Sequence, residues 1–530
     1  MTFDVTRRTF GTGMVALLAT TALARSAFAQ SDVSLAVGMS TTPTTLDPHE
    51  DSSSPNNATS RHVFDSLIER GGSAENEPLL ASEWESLDAT TWRFKLREDV
   101  TFHDGKPFTS ADVVASLLRA RDKPSQGFAS YTRSLAEVTA DGEYSVIIKT
   151  NAPDPLLLNS LSRLRIISAD YVDADPSSFD RGEAMVGTGP FKFASYTPGS
   201  GLELSRNDDY FRDPAAWSAV SLRFLPDDGA RLAALLAGEV DLIETIPAEG
   251  LDRVENTAGL RILRGQSTRI VYLGLDQHRD ESPFITAKDG SSLGTNPLKD
   301  PRVRRALLTS INREAIVERV MQGQGTVADQ WVAPGFFGHS DKVERTAYDP
   351  EAAKALLAEA GYPDGFKLTI HAPSGRYVKD SDVMQAVGQM FSRIGIETEV
   401  IVQPWTTYSD QLSSQAFSVF MASWGINTGE VSNPSIALVA TPNAEKGTGR
   451  NNASGISVAE IDDLLERAST ELDVDERRVL LEQVSEEVFG EDLLILPLHY
   501  ENVVLGAKEN ISYAPRSDKY TLAYEIGHSS

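Results

Sequence analysis

Among 530 residues there is no cysteine. Disulfide frameworks, thiolate metal sites and thiol nucleophiles are excluded at once, and packing alone must hold the chain together. Basic charge is also short: 49 Lys and Arg stand against 76 Asp and Glu, giving a formal net charge of -27 and a pI of about 4.7. Nucleic acid and anionic lipid surfaces are met by basic patches, so neither is a partner suited to this composition. Long apolar runs are missing, with nothing approaching the ~20 residues that span a bilayer. Histidine is sparse: His49, His62, His103, His278, His339, His371, His499 and His528 are scattered, with no two at metal-ligand spacing, so no metal is expected. No Walker A loop, HExxH, G-x-S-x-G elbow or EF-hand loop occurs, and Gly187-Thr188-Gly189-Pro190 lacks the third glycine of a dinucleotide loop. Neither a catalytic centre nor a cofactor is indicated. Acid pairs cannot be singled out among so many carboxylates.

What is present is ordinary globular material, 41% hydrophobic and 24% charged, in a chain long enough for two or three domains. The first thirty residues stand apart. A basic start, an apolar middle from Met14 to Ala24 and the small-residue end Ala27-Phe28-Ala29 give the layout of a secretory signal over 1–29, cleaved after Ala29. Thr6-Arg7-Arg8-Thr9-Phe10 resembles the twin-arginine export motif; a general secretory signal that contains Arg7 and Arg8 is the alternative. Arg7, Arg8 and Arg25 against Asp4 leave the remainder at -29. A cysteine-free exported chain cannot carry a lipid anchor at its cleavage site. The expected location is the periplasm of a Gram-negative cell.

Strand-like and helix-like segments alternate along the rest. Ser34 to Val37, Trp92 to Leu96, Tyr144 to Lys149, Leu202 to Ser205, Val220 to Phe224 and Leu493 to Tyr500 read as strands. Helix starts are marked by Thr109 with Asp112, Asp300-Pro301, Asn312, Asp349-Pro350 and Ser457 with Glu460, and helix ends by Gly323 and Gly361. The mixture predicts an α/β protein with more than one sheet.

Several blocks carry more than periodicity. WRFKLREDVTFHDGKPFTSADVVASLLRA, GTGPFKFASYTPGSGLELSRNDDYF, ALLAGEVDLI, DPRVRRALLTSINREAIVERVMQGQG and YDPEAAKALLAEAGYPDGFKLTI follow one another in an order that resembles the solute-binding proteins of peptide-type ABC importers, solute-binding protein family 5. The resemblance spans most of 31–510. It implies a periplasmic-binding-protein-like clamshell of two α/β lobes with a small subdomain inserted in the first. The first lobe would take 30–70, 187–275 and 493–530, the insert 71–186, and the second lobe 276–492. A peptide or peptide-like solute would be captured by hinge closure and delivered by a monomer to an inner-membrane permease. A secreted hydrolase and a chaperone-like binder of extended chains are the other readings open to such a sequence.

The stretch SWGINTGE, Ser423 to Glu430, follows a strand-like run and reads either as pocket wall or as a plain loop exit. By the resemblance, an aspartate three residues after Trp424 would pair with a free α-amino group; here Asn427 stands there, which supplies no charge. Thr428 lies in the same loop, and Glu430 is a substitute if the loop folds inward. Arg376 and Tyr377 follow a strand, where Arg376 either forks onto a ligand carboxylate or is a solvated surface residue. Trp405 is pocket or core by the same logic. Tyr272, Thr45 and Leu46 complete the candidates.

Overall fold

A computed structural model of the chain describes residues 33–71, 76–123, 125, 127–426 and 428–528. The expected signal, with Arg7, Arg8 and Ala29, and Asn427, expected to bear on specificity, lie outside the described residues. Two long strands organise the rest. Leu260–Leu275 and Leu496–Lys508 lie antiparallel at the centre of a twelve-stranded sheet. Their early and late halves serve different neighbours. Residues 260–266 pair with 508–502, and beside them lie Leu242–Ile243, Ser34–Met39, Ala219–Phe224, Gly201–Arg206 and Phe191–Thr197. Past a register break between Gln266 and Ile270 the two strands stay paired, 270–273 with 500–496. Residues 269–275 also pair on their other edge with Val419–Gly425, which leads on to Lys367–Ser374 and Glu397–Pro404.

The hydrophobic cores divide in the same way. Leu263, Val503 and Leu505 pack with Val37, Phe191 and Leu222 in the core of the first lobe. Val271, Leu273, Leu275, Leu496 and Leu498 pack with Leu307, Ile370 and Met421 in the second. A separate four-stranded antiparallel sheet, Ala81–Asp88, Thr91–Leu96, Ser145–Thr150 and Leu135–Ala140, is covered by the helix Ser110–Asp122 through Val113, Leu117 and Ala120.

Leu67 and Ile68 pack in the core of the four-stranded sheet, Ile167, Phe179, Ala184 and Met185 pack with Val37 and Phe191, and each long strand contributes to more than one core. Where the chain returns to the first lobe, Gly187 is required by close approach: a Cβ there would lie 1.9 Å from the Val63 carbonyl oxygen.

Local signals fare well where the partner is near in sequence. Asp112 accepts from the Thr109 amide at 2.8 Å and its hydroxyl at 3.0 Å. Asp300 and Asp349 cap the helices Pro301–Thr309 and Pro350–Glu359 with Pro at the first position. Asn312 caps as expected, but the helix widens after one turn, with the Met321 amide reaching Ile316, so that Ile316 and Met321 are both buried. Ser457 does not cap Ala459–Ala468, because its hydroxyl bonds Thr441 at 2.8 Å. The closing strand runs on past Tyr500 to Lys508. Among the described residues no helix is long and apolar enough to cross a membrane.

Candidate functional site

Lys367–Ser374 pairs in parallel with both Glu397–Pro404 and Val419–Gly425. Parallel strands end on the same edge, and in α/β sheets that edge is where ligands bind. Arg376 and Tyr377 follow the first of these strands, Trp405 follows the second, and Trp424 lies at the end of the third. Leu260–Leu275 runs antiparallel beside the third, setting Arg269 opposite Gly425 and Tyr272 opposite Ala422. Five of the expected residues, Tyr272, Arg376, Tyr377, Trp405 and Trp424, therefore line one cavity of about 490 Å3, a small-molecule size.

Beneath the cavity wall runs a column of rings. Phe284 lies 4.5 Å from His371, His371 stacks on Phe417 at 4.4 Å, and Phe417 stacks on Tyr408 at 5.0 Å. Tyr408 lies 6.1 Å from Trp405, and the Arg376 guanidinium covers Trp405 at 4.9 Å. The Tyr408 hydroxyl is tied to the Met421 carbonyl at 2.7 Å, fixing the column to the sheet. Burial pushes the His371 imidazole down to about 4, so the column carries a neutral ring at its centre. Trp424 is held from the other side by its Nε1–H donating to Asn433 at 2.8 Å. Stiff rings fixed this way offer contact area at little entropic cost.

The Arg376 loop is built on one buried carboxylate. Asp380 accepts from the amides of Gly375 (3.2 Å), Arg376 (2.8 Å), Tyr377 (3.1 Å) and Ser381 (2.8 Å). That holds the turn after the strand and aims Arg376 back over Trp405.

The cavity's charge is one-sided. Arg269, Arg376 and Arg450 line it, and no Asp or Glu stands among the described lining residues. Arg450 is delivered by a tight turn: Gly449 has φ 63°, and a Cβ there would lie 2.6 Å from the Ala440 carbonyl oxygen. Arg269 donates to Ser423 at 3.0 Å and lies 3.7 Å from Glu501. Burial works to raise the Glu501 carboxyl, but Lys519 at 2.9 Å, with Arg269, outweighs it and holds the group below its ordinary value. A second cavity of about 320 Å3 shares Arg269 and Gly425 with the first and reaches the first lobe at Met39 and Val503. Its carboxylates are engaged: Glu244 by Ser40 (2.8 Å), Glu501 by Lys519 and Asp518 by Arg516 (2.8 Å).

The remaining expected residues lie elsewhere, and each has a reason. Thr45 and Leu46 do not line this cavity. Asp180 draws both inward, accepting from the Thr45 hydroxyl at 3.1 Å and the Leu46 amide at 2.7 Å, and Leu46 packs in the first-lobe core. Glu430 does not turn into the pocket as a substitute for a missing aspartate. It is buried in a two-pronged pair with Arg477, at 2.6 and 2.9 Å, and also takes the Ser432 hydroxyl. The Thr428 carbonyl accepts from Arg70 at 2.7 Å and Asn159 at 3.3 Å, tying this loop to the first half of the chain. Thr428 and Glu430 line a different cavity of about 480 Å3. Arg269 and Arg450 were not anticipated from sequence. Arg450 sits in Gly449-Arg450-Asn451-Asn452, a turn with no strand before it to point at a crevice.

Among the described residues no group of three or more His, Asp or Glu is placed to hold a metal ion. The family description "Bacterial extracellular solute-binding proteins, family 5 Middle" matches residues 75–446. Heme-binding protein A of Haemophilus influenzae is 28% identical over 460 residues, 81% of this chain and 80% of that protein. Glutathione-binding protein GsiB of Escherichia coli K12 is 26% identical over 515 residues, 94% of this chain and 95% of that one. The solved structure of HbpA2 from Haemophilus parasuis superposes with a TM-score of 0.80 at 24% identity, over 94% of this chain and 100% of that chain.

Proposed function

The chain belongs to the bacterial extracellular solute-binding proteins of family 5, and from that membership we propose that its arginine-lined cavity receives a peptide or peptide-like solute for an ABC importer. The observation that carries this reading is the convergence of Arg376, Tyr377, Trp405 and Trp424 at the ends of three parallel strands. The two long strands that pass from one core to the other are the natural hinge: few backbone torsions near Gln266–Ile270 need change for the lobes to close. A solute that touches both lobes would shift the population toward closure, and a permease in the inner membrane would read the closed form.

The solutes named for two relatives, heme and glutathione, share a feature despite their different shapes: each carries two carboxylates. We read the sheet around Ala81–Thr150 as the subdomain inserted in the first lobe. Residues 1–29 are read as the export signal, of the twin-arginine type, of a monomeric periplasmic protein.

The test is thermal unfolding of the protein with a panel of di- to pentapeptides, each free and N-acetylated, together with glutathione, hemin, opines and nickel chelates. A ligand specific for the folded state, present at a hundred times its dissociation constant, adds ~2.7 kcal/mol. Saturable stabilisation without product supports the receptor. Turnover of a panel member would favour a hydrolase, and weak stabilisation by every extended peptide a chaperone-like binder.

A further inference from the structure

We propose that the solute is an acid with at least two anionic groups, bound by Arg376 and Arg450 together with Arg269, and that a free amino group is not what the cavity reads. The proposal rests on the receptor reading above and narrows its ligand class. A protein of net charge -27 has here gathered three guanidinium groups around one cavity and kept carboxylates off its described wall. Arg376 and Arg450 are exposed, and no carboxylate among the described residues lies within ion-pair distance of either. Exposed cations without a described carboxylate partner also occur elsewhere, at Arg133, Arg253, Lys288, Arg319 and Arg393; what sets Arg376 and Arg450 apart is that both line one cavity, together with Arg269.

The neighbouring acids do not restore the balance. Glu501 is shared between Lys519 and Arg269, Asp518 is held by Arg516, Glu244 by Ser40 and Glu430 by Arg477. Asp380, next to Arg376 in space, spends both oxygens on four backbone amides. An ammonium entering this cavity would meet three cations and no described acid in the wall. A carboxylate or phosphate would meet guanidinium forks, whose paired donors match its oxygens. Arg376 already sits over the Trp405 ring at 4.9 Å, a contact that restrains the guanidinium before a ligand arrives. The body of the solute then rests against Tyr377, Trp405 and Trp424. The surrounding acidity adds selectivity, since an anion is attracted only where this field is locally reversed.

The measurement is titration calorimetry on the purified protein with matched probes. Acids with two carboxylates are N-acetyl-Phe-Glu, glutathione and hemin; the neutral counterpart is N-acetyl-Phe-Gln-amide, the cationic one Phe-Lys-amide, and sodium sulfate controls for ionic strength. At least one acid should bind tenfold or more tighter than the neutral and cationic probes, about the effect of one charge-assisted contact. Arg376→Gln and Arg450→Gln should each weaken that acid by about tenfold or more, with the melting temperature of the unliganded protein unchanged. Tighter binding of the neutral or cationic probe would overturn the acid class and leave the receptor standing. Equal competition by sulfate would reduce the arginines to a counter-ion site and overturn it as well. No heat from any probe, together with no stabilisation by the wider panel, would overturn both readings.

Discussion

Two charged neighbourhoods flank Trp424, and the protein treats them in opposite ways. On one side Glu430 and Arg477 are both buried and satisfied: two short bonds join them, Ser432 adds a third donor to the carboxylate, and the Arg477 Nε–H donates to the Ala468 carbonyl at 2.9 Å. On the other side Arg376 and Arg450 are exposed at a cavity wall with no acid to meet them. A buried charge must find its partner inside the chain, because leaving it unpaired costs several kcal/mol, about 3–5 when one partner of such a pair is removed. An exposed charge at a pocket is free of that demand and can wait for a partner from solution. Paired charge is structure here, and unpaired charge at the cavity is what we assign to the solute.

The largest expected effect breaks the structural side. Glu430→Ala leaves Arg477 buried without a counter-charge, and the unfolding free energy in urea should fall by about 3–5 kcal/mol. Replacing both, Glu430→Leu with Arg477→Met, should recover most of the loss, since an apolar pair of similar volume is often no worse than the ion pair. If Glu430 were instead the solute's partner, Glu430→Gln would spare stability and abolish binding of peptides with a free amine, and the contrast between the two neighbourhoods would collapse.

The next effect concerns a positive charge kept out. His371 lies at the middle of the ring column with its value pushed down to about 4 by burial, below the ~6.5 of an unfolded histidine. A depressed value means that the unfolded chain takes up the proton first. The stabilisation is therefore complete above about pH 6.5 and is lost as pH falls through 6.5 toward 4. Between pH 7 and 5 this one ring should cost about 2 kcal/mol. His49, His62, His103 and His499 are also held near 4, so the decisive quantity is a difference. His371→Phe should lose about 2 kcal/mol less than the parent over that interval, and equal losses would mean that the column admits a cation.

A smaller effect sharpens the cavity side. Asp380→Asn replaces one accepting oxygen by a donor that faces two amides, which should cost about 1.5 kcal/mol. It should also weaken any ligand held by Arg376, because the turn that aims the guanidinium is loosened. Binding that survives unchanged would show that Arg376 is positioned by Trp405 alone.

How far the sequence could be read follows from how far each residue's partner lies along the chain. Thr109 and Asp112, Asp300 and Pro301, and Asp349 and Pro350 were legible because a cap and its helix are neighbours. Arg376, Tyr377, Trp405 and Trp424 were legible as strand-end residues, and parallel pairing then gathered them without further information. Where Glu430 and Thr45 turn was not legible, because their partners Arg477 and Asp180 lie 47 and 135 residues away. Arg269 and Arg450 were invisible for the same reason. A mid-strand arginine and a turn arginine have no local mark, and only the turn at Gly449 and the pairing of Arg269 with Gly425 bring them to the cavity. The passage from one packed core to the next leaves no mark in the sequence, because Leu260–Leu275 and Leu496–Lys508 serve more than one core within a continuous strand, where neither composition nor periodicity changes.

The smallest expected effect tests the contrast most directly. Arg376→Gln and Arg450→Gln remove exposed charges that touch no carboxylate among the described residues, so the unliganded protein should change stability by no more than about 0.5 kcal/mol. Arg376 has the larger share of that, since its cation–π contact with Trp405 is lost and glutamine offers a weaker cover. The double variant should be nearly additive in stability, because the two side chains share no described contact. In affinity the same pair should fall short of additive if both forks grip one anionic group, and add fully if each holds its own. A stability loss above 1 kcal/mol in either single variant would mean that an internal partner exists, and the arginine would then belong with Glu430 and Arg477 as structure.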